Sequence, residues 1–301
     1  MNPNTPIARF AIRNIVAGVD LSPHTEQVLR HGALIARRCR SRLTVVHVVL
    51  PSLWIAPEGG TALDQPNEME LDENRRKVEE QFDTLSASGM LRGVPHEFLI
   101  REGDNVAKVL SEVVDEEGAD LIVIGTHGTG WWERFVFGSN AESIIRCAPR
   151  PVITIGPSAT SVQEEDSSRV IYATNFGSSS LCALSYALTF ARDKQASLTL
   201  LNVIEKRVGH GGKSELHKSD CERRLLSLVS GGTNVPSTTE VTVEYGTAGE
   251  AIVGVAKRRQ ANLIVMGASA THMGSLAVTS TLHYVLGCAP CPTLTVHSPT
   301  P

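Results

Sequence analysis

The chain has 301 residues, of which 42% are hydrophobic, so it is long and apolar enough to form two ordinary globular domains. Because 28 Lys and Arg stand against 32 Asp and Glu, the net charge of -4 gives no electrostatic reason to expect a nucleic acid or an anionic membrane as a partner. No apolar run has the length of a membrane span, the N-terminal MNPNTPIARF lacks the features of a signal peptide, and six widely spaced cysteines do not resemble a secreted disulfide scaffold. These features predict a cytoplasmic protein.

Apolar runs and amphipathic segments alternate through the first half of the chain. The runs predict strands at residues 15–19, 43–49, 96–100, 121–124 and 152–155. Helical patterns lie between them: one begins at Ser22-Pro23, one at about Met69, one covers residues 106–114, and one begins at Gly138-Ser139-Asn140. Strands that alternate with helices predict a parallel sheet with helices on both faces.

The first half is repeated in the second half. The segment NIVAGVDLSPHTEQVLRHGALIARRCRSRLTVVHVV aligns without a gap with RVIYATNFGSSSLCALSYALTFARDKQASLTLLNVI. ADLIVIG and RCAPRPVITI recur in the same order as ANLIVMG and GCAPCPTLTV. This tandem duplication predicts a first domain at residues 1–157, a short polar linker at 158–168 and a second domain at 169–301.

A glycine-bearing loop follows the fourth predicted strand. The strand ends at Gly125, further glycines follow at positions 128 and 130, and the next helical pattern begins at Gly138. A strand, a glycine loop and a helix N-terminus together form an anion site, because unpaired N–H groups and the positive end of the helix dipole point the same way. Ser139 or Asn140 is expected to cap this helix.

Three residues follow or end predicted strands at the edge where open α/β sheets bind ligands. Asp20 follows the first strand, Val48 ends the second and Gly125 ends the fourth, so they are expected to meet at one edge of the sheet. Asp20 is also explained by a strand-to-helix turn with Ser22. Packing explains the side chain of Val48, so a specific contact there would come from its backbone groups.

These residues closely resemble the ATP-binding branch of the universal stress protein family. The resemblance rests on Gly125-x-x-Gly128, on Gly138-Ser139 nine residues later and on Asp20 after the first strand, and it covers nearly the whole chain, once per half. It implies two tandem flavodoxin-like domains, also described as adenine nucleotide alpha hydrolase-like, which are doubly wound and carry a five-stranded parallel sheet each. It also implies bound ATP, with Mg²⁺ or Mn²⁺ as the accompanying metal. In this family pattern Asp20 meets the adenosine, the Val48 backbone bonds adenine, and ribose and phosphates are held by Gly125, Gly128, Gly138 and Ser139.

The loop differs from the phosphate loop of ordinary NTPases, because no lysine occurs between residues 125 and 139. Backbone N–H groups and a hydroxyl must hold the phosphates, and they supply little to stabilise the charge that develops in phosphoryl transfer. These residues therefore favour binding over fast turnover, and together with the family resemblance they imply a nucleotide-dependent stress-response sensor or regulator. Two alternatives are a slow ATPase or other nucleotide-using enzyme, and a dimerising scaffold that binds no nucleotide.

The second half departs from the motif. Gly267 is kept, but Asn175, Ala270 and Thr279 stand where the first half has Asp20, Gly128 and Gly138. An added methyl at a position of close phosphate approach would weaken binding or deform the loop. We expect a degenerate second site and one nucleotide per chain.

The predicted partners other than ATP are proteins. In the family that the chain resembles, the last strand often pairs domains, which implies pairing through the strands at residues 152–155 and 293–296. An exposed strand edge offers unpaired backbone groups for such pairing, and a homodimer is a further expectation. Trp131-Trp132 favours an interface with a partner protein or the other half, with capping of the ligand as the alternative. Arg134 is a candidate phosphate ligand and His127 a candidate phosphate donor, although solvation explains both.

Cys288-Ala-Pro-Cys291 has the spacing of a redox or metal motif. It stands alone, without a second pair to complete a four-ligand zinc site, and proline recurs at the same turn in both halves. A structural turn is therefore the favoured explanation.

Overall fold

The computed structural model of the chain describes residues 11–50, 68–126, 138–160, 168–192, 196–205, 214–230, 235–236, 238–268 and 281–298. Residues 12–126 and 138–152 belong to one compact unit, and the described residues from 153 onward belong to another. Among the described residues, no helix is long and apolar enough to cross a lipid bilayer.

The first half alternates strands and helices as the sequence predicts. Its elements are β1 (Asn14–Val19), α1 (Thr25–Cys39), β2 (Arg42–Val49), α2 (Glu68–Ala87), β3 (His96–Glu102), α3 (Val106–Glu116), β4 (Leu121–Gly125), α4 (Ser139–Cys147) and β5 (Val152–Ile155). Every predicted strand lies within two residues of an observed one.

The second half repeats this order. Its elements are β6 (Arg169–Ala173), α5 (Ser178–Phe190), β7 (Ser197–Ile204), α6 (Ser214–Val229), β8 (Thr238–Tyr245), α7 (Ala248–Arg258), β9 (Leu263–Ala268), α8 (Thr281–Cys288) and β10 (Thr293–His297).

Both units contain parallel sheets in which the strand order reverses once. In the first unit the order is β3-β2-β1-β4, and all three neighbouring pairs are parallel. The second unit has the order β10-β9-β6-β7-β8, again with parallel pairs. The doubly wound α/β class expected for each half is therefore confirmed, with topological switch points between β1 and β4 and between β6 and β9.

The central strands are apolar because both faces of the sheet are covered. Residues 15–17 of β1 and 121–124 of β4 are at most 3% exposed, which explains why they read as continuous apolar runs rather than as alternating patterns. In the second unit, side chains of the corresponding strands pack against α7 and α8 in one cluster that includes Ile171, Ile264, Ile252 and Val285.

Two helix starts differ from the sequence prediction. Helix α1 begins at Thr25 rather than at Ser22-Pro23, with His24 as its N-cap. Helix α4 begins at Ser139, its N-cap is Gly138, and no side chain of a described residue caps it there. The prediction that Ser139 or Asn140 caps this helix is therefore wrong. Ser139 is the first helical residue and Gly138 holds the N-cap position before it.

Candidate functional site

The structure places three of the predicted site residues at one edge of the first sheet. Asp20 directly follows β1, Val48 is the penultimate residue of β2, and Gly125 is the last residue of β4. The register confirms that these strand ends are adjacent, since Val19 pairs with His47 and the residue before Val19 pairs with the residue before Gly125. Asp20 is exposed, whereas Val48 and Gly125 are half-buried. The three residues therefore flank the switch point, where open α/β sheets bind ligands.

Gly138 and Ser139 lie at the start of α4, near the end of β4. The amide of Gly138 donates a hydrogen bond to the carbonyl oxygen of Thr126 over 3.1 Å, and Thr126 is almost completely buried. Gly138 has φ -60° and ψ 134°, an ordinary extended conformation that any residue can adopt. A Cβ atom at Gly138 would lie 3.2 Å from the oxygen of Thr126, so a close approach, and not a left-handed backbone, favours glycine here.

Several predicted residues lie outside the described part of the chain. These are the loop residues Gly128, His127, Trp131, Trp132 and Arg134, and, in the second half, Ala270 and Thr279. Their assigned roles stay predictions from the sequence.

The Asp20 carboxylate shapes the turn between β1 and α1. Its Oδ1 accepts a hydrogen bond from the Ser22 amide at 3.0 Å and one from the Thr25 hydroxyl at 3.5 Å. Leu21 between them has φ 58°, in the left-handed region that a leucine rarely adopts. The turn role weighed for Asp20 from the sequence is therefore present, and the described residues provide no hydrogen-bond donor to its Oδ2.

His47 joins β2 to the end of β1, a connection that the sequence did not suggest. Its Nδ1 lies 2.9 Å from the carbonyl oxygen of Val19, and because a carbonyl can only accept, Nδ1 carries the proton. Burial lowers the pKa of His47, while the Val19 hydrogen bond and the nearby Asp20 charge act in the opposite direction. The available signal was the alignment of His47 with Asn202 in the repeat.

The second unit builds the same turn from uncharged side chains. Asn175, at the position of Asp20, accepts hydrogen bonds through Oδ1 from the Gly177 amide at 2.9 Å and from the Ser180 hydroxyl at 3.1 Å. Phe176 has φ 61°, as Leu21 does in the first unit. The turn therefore does not need the negative charge of Asp20.

The strand connection is also repeated without a titratable group. The Nδ2 atom of Asn202 donates to the carbonyl oxygen of Thr174 over 2.8 Å, and these two residues align with His47 and Val19. The same hydrogen bond thus joins the first two strands of each unit, through imidazole in one and through an amide in the other.

The first turn of α5 lies directly against the end of β9. A Cβ atom at Gly267 would overlap the backbone of Ser179 and Ser180. The buried hydroxyl of Tyr172 also donates a hydrogen bond to this first turn, at the carbonyl oxygen of Ser180 over 2.7 Å. Close helix packing therefore explains why glycine is kept at position 267, although the sequence suggested a remnant of a ligand site.

The turn of the second unit is covered by a side chain from α6. The guanidinium of Arg224 lies 4.0 Å from the centroid of the Phe176 ring, which is a cation–π contact.

The two cysteines with redox spacing belong to the core of the second unit. Cys291 is 2% exposed, burial raises the pKa of its thiol to about 12, and Cys288 packs against the same cluster. A thiol with such a pKa is almost entirely protonated at neutral pH, which disfavours a redox role for Cys291 and agrees with the structural turn favoured from the sequence. Within the part of the chain that the structure describes, no group of three or more His, Cys, Asp and Glu side chains is arranged to hold a metal ion.

Taken together, these features define a class of protein: two tandem, doubly wound α/β domains, the first with an exposed carboxylate and a glycine-flanked helix start at its switch point. The family model that matches is that of the universal stress protein family, and it matches twice, over residues 11–156 and 167–297. The chain therefore belongs to the universal stress protein family, as a tandem member.

Individual relatives are distant. A universal stress protein of Mycolicibacterium smegmatis (strain ATCC 700084 / mc(2)155) is 28% identical over 146 residues, which are 47% of this chain and 47% of that protein. A Staphylococcus haemolyticus (strain JCSC1435) relative with the same family name is 28% identical over 144 residues, which are 48% of this chain and 84% of the relative. The crystal structure of a universal stress protein from Archaeoglobus fulgidus DSM 4304 has a TM-score of 0.70 at 19% identity and covers 96% of this chain and 100% of that one. The last comparison shows a shared fold.

Proposed function

We propose that the first unit binds ATP at the carboxyl edge of β1, β2 and β4, and that the protein is a cytoplasmic, nucleotide-dependent sensor or regulator of the stress response. The observation that carries the proposal is the charge of Asp20. Asn175 forms the same turn without a charge, so the fold does not require a carboxylate at this position. An exposed carboxylate that the fold does not need, at a topological switch point, is a feature of a ligand site.

Each site residue has a distinct role in this proposal. The Asp20 carboxylate accepts hydrogen bonds from the ribose hydroxyls, and the backbone of Val48 bonds adenine. Gly125, and Gly128 by its place in the motif, allow the ribose and phosphates to come close to the backbone. The amide groups at the start of α4, beside Gly138 and Ser139, face the phosphates with the positive end of the helix dipole. Mg²⁺ or Mn²⁺ would neutralise the remaining phosphate charge.

Binding without fast turnover suits the residues that are present. No lysine occurs between residues 125 and 139, so positive charge for phosphoryl transfer would have to come from the metal and from Arg134, the candidate phosphate ligand of the loop. Bound ATP instead acts as a signal by favouring the conformation that holds it more tightly. We propose that the segment with Trp131-Trp132, which lies between Gly125 and Gly138 in the sequence, presents that signal to a partner protein.

One nucleotide per chain is proposed, because the second half has Asn175, Ala270 and Thr279 where the first half has Asp20, Gly128 and Gly138. The first turn of α5 lies against Gly267, where the first unit has Gly125, and Arg224 covers the turn at Phe176. Asn175 is exposed, as Asp20 is, so the missing carboxylate distinguishes this edge of the second unit from that of the first.

Calorimetric titration of nucleotide-free protein with Mg-ATP tests the proposal. We expect one site per chain, and we expect Asp20→Asn, which copies the second unit, to weaken binding at least tenfold. A matched control is Asp120→Asn, because Asp120 accepts the amides of Arg13 and Asn14 in the same way that Asn262 accepts the amide of Arg169. The control should bind ATP as the wild type does. No binding by the wild type, or two equivalent sites per chain, would contradict the proposal.

A further inference from the structure

We propose that His47 is a positioning residue of the ATP site: its imidazole fixes the strand end that carries Asp20 and makes the affinity for ATP depend on pH. This inference rests on the proposed function of the first unit. It concerns a residue outside the glycine motif, on the strand next to β1.

The first step is the geometry of the hydrogen bond. Nδ1 of His47 lies 2.9 Å from the oxygen of Val19, the last residue of β1 and the neighbour of Asp20. His47 also directly precedes Val48, whose backbone is assigned to adenine. One side chain therefore holds together the two strand ends that contact the adenosine part of ATP. When such groups are already fixed in the free protein, less conformational entropy is lost on binding, and the affinity is higher.

The second step is the comparison of the two units. Where the first unit has Asp20 and His47, the second has Asn175 and Asn202, and every hydrogen bond made to the backbone is kept. Two titratable side chains thus occur together in the unit with the ATP motif and are replaced together in the unit without it. The fold accounts for the hydrogen bonds but not for the ability of these side chains to gain or lose charge.

The third step is what protonation changes. Nδ1–H donates to Val19 in both the neutral and the protonated imidazole, so protonation at Nε2 adds a positive charge without breaking the strand connection. Burial lowers the pKa of His47 in the free protein, and a bound anionic nucleotide would raise this pKa. By linkage, binding of ATP takes up a proton and becomes tighter as the pH falls.

Among the described residues, Asp20 is the charged group that acts on His47. Asp20 at the end of β1 favours the protonated form, while β3 presents Ile100 as the register partner. Helix α1 covers the same face of β2, since a Cβ atom added at its Gly32 would lie 3.7 Å from the side chain of Leu43. The titratable side chains in the first two turns of that helix are Glu26 and Arg30, which pair with each other at 3.5 Å, and His31, which burial keeps neutral.

Two substitutions separate the hydrogen bond from the charge. His47→Asn copies the second unit, so it keeps a donor for Val19 but does not titrate, whereas His47→Leu fills the space without a donor. At pH 8.0 we expect His47→Asn to bind Mg-ATP within about twofold of the wild type and His47→Leu to lose about tenfold in affinity. Between pH 8.0 and 5.5 we expect the affinity of the wild type to rise about threefold more than that of His47→Asn.

The comparison at each pH removes the protonation of ATP itself, which affects both proteins equally. Asn202→Leu is the matched control, since it breaks the equivalent hydrogen bond in the second unit, and we expect it to leave ATP affinity unchanged. An equal loss with Asn202→Leu and His47→Leu would overturn the inference by showing a general loss of stability.

The titrations also distinguish this inference from the proposed function. If the wild type binds ATP while His47→Asn and His47→Leu follow its affinity at both pH values, the role of His47 is overturned and the ATP site is retained. If the wild type itself does not bind ATP, both are overturned.

Discussion

The amide nitrogen of Gly138 lies 3.1 Å from the carbonyl oxygen of Thr126, and this hydrogen bond connects the end of β4 to the first turn of α4. It fixes the distance between the two ends of the glycine loop. The phosphates of the proposed nucleotide would lie against the same helix start, so the geometry of this bond bears directly on binding.

Substitution of Gly138 by Ala tests this relationship. The added Cβ would lie 3.2 Å from the oxygen of Thr126, so that the helix start or β4 must shift by a few tenths of an ångström. We expect a loss of about 1 kcal/mol in the free energy of unfolding, together with at least tenfold weaker binding of ATP in calorimetric titration.

A glycine in a helix serves as the control. Gly254→Ala in α7 brings its Cβ 3.4 Å from the end of the flexible Arg258 side chain, and it should stabilise the protein by up to about 1 kcal/mol with unchanged ATP affinity. Equal ATP affinities for Gly138→Ala and the wild type would show that the Thr126 contact does not shape the site.

Substitution of Gly267 should destabilise the protein for a different reason. In Gly267→Ala the new methyl group overlaps the backbone of Ser179 and Ser180, so α5 must move away from β9, and we expect destabilisation of about 2 kcal/mol or more. Chemical denaturation measures this loss. Because the second unit is proposed not to bind nucleotide, the stoichiometry of ATP binding to folded protein should stay at one per chain. A large fall in ATP affinity with little change in stability would indicate that Gly267 belongs to a ligand site.

The buried side chain of His31 should make the free energy of unfolding depend on pH. The side chain is 3% exposed, its Nε2 has no hydrogen-bond partner among the described residues, and burial lowers its pKa from 6.5 to about 4. The unfolded chain therefore binds a proton at a higher pH than the folded chain, so the free energy of unfolding falls as the pH decreases from 6.5 to about 4. The full contribution is about 3 kcal/mol.

His31→Leu isolates this contribution. The variant replaces a buried imidazole by an apolar side chain of similar size, so its stability should fall less steeply than that of the wild type over the same pH range. Urea denaturation at several pH values gives the comparison. Parallel stability curves for the two proteins would mean that His31 titrates normally in the folded state.

Arg40 occupies a position at which glycine should be more stable. It ends α1 with φ 58° and ψ 45°, and its amide bonds back to the carbonyls of Ala36 and Arg37. Arg40→Gly removes the steric cost of this left-handed conformation, and we expect about 1 kcal/mol of added stability and a rise of a few degrees in Tm. Arg40→Ala keeps the backbone cost but removes the charge, so it should not show the gain. Similar gains for both variants would assign the effect to charge.

The sequence predicts the strands of this fold well because their environment is simple. β1 and β4 are covered on both faces, so apolar runs bounded by polar residues mark them within two residues. The start of α1 was less predictable. Ser22-Pro23 has the composition of a helix start, but the left-handed conformation of Leu21 and the bond from the His24 amide to the Ser22 hydroxyl place the first helical turn at Thr25.

The site was predictable where a motif is local in sequence and not where it depends on distant contacts. Asp20, Val48 and Gly125 were placed by the rule for strand ends, and the structure brings them to one edge. The hydrogen bond from His47 to Val19 depends on the register of β1 and β2, which cannot be predicted from a local sequence pattern. The close packing of α5 at Gly267 was not predictable either, because a glycine next to a ligand and a glycine next to a helix are identical in the sequence.

Tyr172 gives the second unit a hydrogen bond that Ala17 cannot form in the first unit. The Tyr172 hydroxyl donates a hydrogen bond to the carbonyl oxygen of Ser180 in the first turn of α5, and Tyr172 aligns with Ala17 of the first unit. Restoring Asp at position 175 and glycine at positions 270 and 279 would rebuild the motif, yet the helix would still lie over Gly267 while Tyr172 remained. Reversion of these motif residues would therefore leave both contacts of α5 in place, the one with Tyr172 and the one with Gly267.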